Sequence, residues 1–203
     1  MKKMFLATIV CTSLGVITPA LAAGVGNQGT LHFVGTVSTT TCDLTPNVNG
    51  VTGNDTIALG QMTATDSSGM EVNVTLAPAN PSAPGCASLM GTNGAKILWT
   101  APQGFNNAGL TSNGSATNMA VKLTAVSGTG TDGHPAITGG SDMQVNSSDQ
   151  EISYEKLPAG TGGTNPVAFT GFQYKASMMR LDPGAAPSAG SVSADATYTV
   201  TYL

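Results

Sequence analysis

Between residues 191 and 203 apolar and polar positions alternate without interruption. Val192, Ala194, Ala196, Tyr198, Val200 and Tyr202 fall on one face, and Ser193, Asp195, Thr197, Thr199 and Thr201 fall on the other. A period of two belongs to a β-strand, so this stretch predicts a strand with one face in a core and one in water. Such a strand carries a row of backbone donors and acceptors along each edge, and each row needs a partner. What lies beside it is therefore a question about function as well as fold.

The same alternation, or a short apolar run, recurs at residues 31–37, 56–59, 72–76, 96–100, 119–126, 151–156 and 169–179. Turn chemistry separates these segments: Asn49-Gly50, Asn93-Gly94, Asn113-Gly114, Asp132-Gly133 and Pro183-Gly184 all offer a glycine that accepts positive φ. No stretch of ten or more residues beyond the amino-terminal region shows helical periodicity, although a short turn fits residues 66–69. Seven or eight strands joined by such turns predict antiparallel pairing in a β-sandwich. The Gly, Ser, Thr and Pro stretches at 77–85, 127–141 and 159–166 read as loops, because strands continue on both sides of each.

The first residues have another character. Lys2 and Lys3 precede an apolar run over 4–16, and Ala20-Leu21-Ala22 supplies a small-residue cleavage site, so residues 1–22 read as an export signal and Ala23 as the mature start. The run is shorter than the roughly 20 apolar residues that span a bilayer. Residues 23–203 are enough for one domain with its own core. Loss of Lys2 and Lys3 leaves five cations against eleven carboxylates, a net charge of −6, which argues against a nucleic-acid partner. Only 9% of the chain is charged. Solubility then rests on hydroxyl and amide groups, a surface suited to packing against other protein. Cys11 leaves with the signal, so Cys42 and Cys86 remain as a natural disulfide in an oxidising compartment. No Cys-x-x-Cys pair is present, which assigns the bridge a structural role.

Catalytic chemistry finds no foothold in the sequence. His32 and His134 have no second ligand at a metal-binding spacing, and no Gly-x-Ser-x-Gly elbow or base partner activates a serine. The expectation is a protein that is not an enzyme and needs no cofactor or metal. Asp149, Glu151 and Glu155 form the one acidic group, with Glu151 and Glu155 on one strand face, and read as a solvated edge that discourages wrong pairing. His32 and His134 read as surface or interface residues. Trp99 lies in phase with Ile97 and reads as core, whereas Tyr154 and Phe105 are the candidates for exposed aromatics.

Three features combine into a resemblance. Gly29-Thr30-Leu31-His32-Phe33-Val34-Gly35-Thr36-Val37 leads to Cys42; Cys86 follows; and Ala189-Gly190-Ser191 opens a final strand with a penultimate Tyr202. With Phe172, Tyr174 and Ala176 on one face of the strand before it, the chain resembles the pilin subunits of chaperone-usher (type 1-like) fimbriae of Gram-negative bacteria.

That resemblance implies an all-β, immunoglobulin-like sandwich, incomplete because it lacks its last strand, and completed by a donated strand. Residues 23–33 would be the amino-terminal donor extension, with Val25, Gly29, Leu31 and Phe33 on one face, and residues 34–203 the pilin domain. The acceptor groove would include Val192, Ala194, Ala196, Tyr198, Val200 and Tyr202. The implied partners are a periplasmic chaperone that first lends a strand, an outer-membrane usher, and other pilin subunits that replace the chaperone in a homopolymer. The implied location is a fimbrium on the cell surface, reached through the periplasm, where the fibre supports adhesion. The chain is short of a two-domain tip adhesin, which favours a shaft or major subunit. The competing reading is an adhesin module whose loops, such as 127–141, bind a host receptor, either a glycan or a protein.

Overall fold

A computed structural model describes residues 27–37, 42–80, 84–160 and 167–203, with residues 27–37 described at the level of the backbone. The elements in chain order are β1 (Asn27–Val37), β2 (Leu44–Val48), β3 (Val51–Thr52), β4 (Thr56–Met62), β5 (Val72–Pro78), α1 (Pro84–Thr92) and β6 (Ala95–Thr100). They continue with β7 (Phe105–Asn106), β8 (Gly109–Thr111), β9 (Met119–Val126), β10 (Met143–Gln144), β11 (Glu151–Tyr154), β12 (Phe172–Arg180) and β13 (Val192–Tyr202). The proposed export signal and Val25 lie outside the described residues.

Two sheets form an immunoglobulin-like β-sandwich. One has the order β11-β6-β13-β1-β4, and the other runs β3-β2-β5-β12-β9-β8-β7 with β10 also beside β9. The alternation read from the sequence has its cause here, because strands such as β5, β6 and β13 bury every second position between the sheets. In β13 the residues Val192, Ala194, Ala196, Tyr198 and Val200 are buried and the hydroxyl-bearing positions between them are not. The core between the sheets centres on Trp99, Tyr174, Tyr198, Tyr154 and Phe172. Trp99 is wholly buried, as its phase with Ile97 predicts.

Cys42 and Cys86 are joined by a disulfide across a sequence separation of 44. The bridge fixes the entry to β2 against α1. This helix corrects the reading of residues 77–85 as loop that continues straight into a strand. Pro84 suits a first helical position, where its missing N–H costs nothing, while Cys86 and Met90 turn inward one helical turn apart. Nine residues are too few for a helical period to stand out, and tertiary anchors hold the helix. Besides the disulfide, the backbone N–H of Leu157 donates to the Met90 carbonyl at 2.7 Å.

The reading of Tyr154 as an exposed aromatic is corrected. Tyr154 is buried, because it shares the inward phase of Ile152 in β11 and its ring packs on Phe172 with centroids 4.6 Å apart. His134 is half-buried: its Nδ1 lies 2.8 Å from the Gly171 carbonyl oxygen, which ties the 128–135 loop to the start of β12. Phe105 is also half-buried and packs at the margin of the core.

Candidate functional site: a strand slot beside β13

β13 lies in the interior of its sheet. On one side it pairs antiparallel with β6, from Thr197 opposite Thr100 to Tyr202 opposite Ala95. On the other side it pairs with β1, and this ladder is parallel: Gly29 stands opposite Val192 and Val37 opposite Val200. The far edge of β1 pairs antiparallel with β4, from Asn27 opposite Met62 to His32 opposite Thr56, with an irregularity between Gln28 and Thr30. The first strand among the described residues thus fills a slot whose walls are the last strand and β4.

The walls suit an extended backbone. Ile57, Leu59 and Met62 of β4 and the inward residues of β13 are buried, so the floor beneath the slot is apolar. Ala194 and Ala196 are buried in its middle, and Tyr198 packs against Trp99 with ring centroids 5.5 Å apart. The Tyr198 hydroxyl donates to the Leu44 carbonyl at 3.4 Å, linking β13 to the other sheet. Tyr202, at the Val200 end, is half-buried and its hydroxyl has no hydrogen-bond partner among the described residues. Burial raises the pKa of Tyr198, and that of Tyr202 is pushed up by burial and by the neighbouring Tyr198 and Asp43.

Charge plays little part in the walls. β4 carries no charged residue, and β13 carries only Asp195, whose Oδ2 accepts from Asn113 Nδ2 at 3.5 Å. The slot therefore offers backbone hydrogen bonds and apolar surface, the features that suit an extended polypeptide. Among the described residues no three His, Cys, Asp or Glu side chains come together as metal ligands would.

The other long edge of this sheet is closed. Glu151 and Glu155 are exposed, and Glu151 pairs with Lys96 at 2.9 Å on the neighbouring strand. Beyond β11 the chain covers the edge itself: Thr138 N–H donates to the Ser153 carbonyl and Glu155 N–H to the Ala136 carbonyl, both at 2.8 Å. The loop 127–141, considered above for receptor contacts, thereby has a structural task. It also borders an open depression lined in part by Thr129, Gly130, Ala136, Glu155 and Lys156.

Of the residues assigned from sequence to the acceptor groove, Val192, Ala194, Ala196, Tyr198 and Val200 stand together on the floor and Tyr202 at its end. Gly29, Leu31 and Phe33 lie in β1, opposite Val192, Ala194 and Ala196. Sequence reasoning missed the second wall. Its signal was the alternation of Ile57 and Leu59, which marks a strand but not its neighbour.

Comparison with known proteins agrees with this architecture. Residues 31–203 match the family model described as fimbrial protein. The chain is 32% identical over 205 residues to the F107 fimbrial protein of Escherichia coli, covering 100% of this chain and 99% of the relative. It is 31% identical over 215 residues to the K99 fimbrial protein of Escherichia coli, covering both chains completely. The chain belongs to the fimbrial protein family and is a pilus subunit of a cell-surface fimbrium.

Proposed function

We propose that this subunit polymerises by donor-strand exchange, with the segment that includes β1 of one copy entering the slot between β13 and β4 of another. The observation that carries the proposal is the position of β1. It is inserted between two strands of the sheet, and its covalent connection to the rest of the described domain runs through residues 38–41. Its withdrawal would leave two long facing edges, on β13 and β4, over an apolar floor. Open edges of this kind are costly in water and invite strand addition.

On this reading a periplasmic chaperone occupies the slot after export, an outer-membrane usher delivers the subunit, and the amino-terminal strand of the next subunit replaces the chaperone. The donor includes Gly29, Leu31 and Phe33 and extends toward Val25; the acceptor floor is Val192, Ala194, Ala196, Tyr198, Val200 and Tyr202. The fibre so built supports adhesion, and the subunit's own work is structural and not enzymatic.

The test is co-expression with the cognate chaperone of the full chain and of a chain lacking residues 23–37, followed by gel filtration and electron microscopy. The expected result is fibres from the first and a chaperone-bound monomer from the second. Two stable free monomers would overturn the proposal, because the domain would then be complete without any donated strand.

A further inference from the structure

We propose that exchange of β1 between two copies in the direction it has here closes a two-fold dimer that does not elongate. This inference rests on reading the slot as an acceptor for the strand of a second copy. The argument is topological. β1 runs parallel to β13, so it leaves the slot at the Val200 end, and Cys42, where the described chain resumes, is separated from Val37 by residues 38–41. Five residue steps span at most about 18 Å, so whichever body the strand belongs to must sit close to the end from which the strand emerges.

Consider first a strand from a second copy that enters in the observed direction. It emerges at the Val200 end of its host, and its own body presents that same end, because its Cys42 lies just beyond Val37. The two bodies then meet through like ends, and the empty slot of the second copy faces the β1 of the first. Reciprocal insertion remakes every β1–β13 and β1–β4 pair and leaves no free slot. The contact is isologous and the assembly closes at two copies. A short hinge favours such exchange over refolding within one chain.

A strand entering in the reverse direction emerges at the Val192 end of its host. Unlike ends then meet, the second slot stays open to a third copy, and the contact is heterologous and propagates. Strand direction in one slot therefore separates a closed pair from an open fibre. At the end where two copies meet in the closed pair lies Leu203, an exposed apolar residue whose N–H is bonded to the Gly94 carbonyl at 3.0 Å.

Cysteine pairs distinguish the two directions. Thr36 stands opposite Thr199 in the observed register, whereas reversal of the nine paired positions places residue 30 beside residue 199. The chain purified after export and carrying Thr36→Cys with Thr199→Cys is refolded over a hundredfold range of concentration, oxidised, and examined on non-reducing gels and by light scattering. The expected result is a dimer fraction that rises with concentration, holds two chains joined through positions 36 and 199, and adds no further subunits. A second variant needs no new cysteine: inserting four Gly-Ser residues between Val37 and Cys42 lowers the dimer fraction severalfold. Cross-links confined to single chains at every concentration would overturn the inference, as would dimers that grow into fibres. Fibres from Thr30→Cys with Thr199→Cys that cross-link between subunits support the reversed direction for growth. Closed dimers without fibres under any condition would sink the donor-strand proposal and leave this one standing, and fibres without dimers would do the opposite.

Discussion

Trp99 and Tyr174 meet edge-on across the sandwich, with ring centroids 5.1 Å apart at 75° and the indole Nε1 donating to the tyrosine hydroxyl at 3.3 Å. The same hydroxyl accepts from Tyr154 at 3.0 Å, so three strands, β6, β11 and β12, are tied by one buried oxygen. Buried polar groups persist in cores when they are bonded, and their loss is felt when one partner disappears.

Tyr174→Phe removes the acceptor for both bonds and should destabilise the domain by about 2 kcal/mol. Tyr154→Phe removes one donor and should cost about 1 kcal/mol. Urea unfolding of the two variants checks the order. Equal midpoints for Tyr174→Phe and the parent would show that the shared hydroxyl contributes nothing.

Alkali should unfold this protein through its tyrosines. All four are held above the ordinary value of 10.0: Tyr154 and Tyr174 chiefly by burial, Tyr198 by burial, and Tyr202 by burial and its neighbours Tyr198 and Asp43. Below pH 10 both folded and unfolded chains keep these protons, and the stabilisation is fully present. Above it the unfolded chain releases protons that the folded chain retains, so stability falls as pH rises. A phenolate absorbance titration should show no ordinary tyrosine ionising near pH 10 and one cooperative rise that coincides with loss of the fold. Gradual ionisation with the fold intact would refute this.

The disulfide should contribute about 4 kcal/mol on the loop-entropy model for its length. Cys42→Ser is expected to lower the yield of folded protein and to lower the melting temperature by about 10 degrees. An unchanged melting temperature would show that the entry to β2 is held without the bridge.

Gly171 has φ of 127°, and a Cβ placed there would lie 2.6 Å from the Leu76 carbonyl oxygen. Gly171→Ala should therefore destabilise by about 2 kcal/mol and loosen the contact of its carbonyl with His134. Hydrogen exchange of the 128–135 loop is the informative measurement, with faster exchange expected in the variant.

Local pattern alone was enough for much of the fold. The strand at residues 119–126 and the inward face from Val192 to Val200 are legible because period two is written into consecutive residues. Trp99 could be placed in the core through Ile97, and the disulfide followed from the supply of cysteines. Tyr154 was legible through Ile152 by the same rule, and the acidic residues beside it obscured that phase. Tertiary structure decided the rest. α1 is too short to announce itself and depends on Cys42 and Met90 contacts that sequence spacing does not reveal. Above all, the pattern at residues 29–37 shows a strand but carries neither its neighbours nor its direction. Those depend on backbone bonds to Val192–Val200 and to β4, far away along the chain, and a period-two face looks the same whichever way its partner runs.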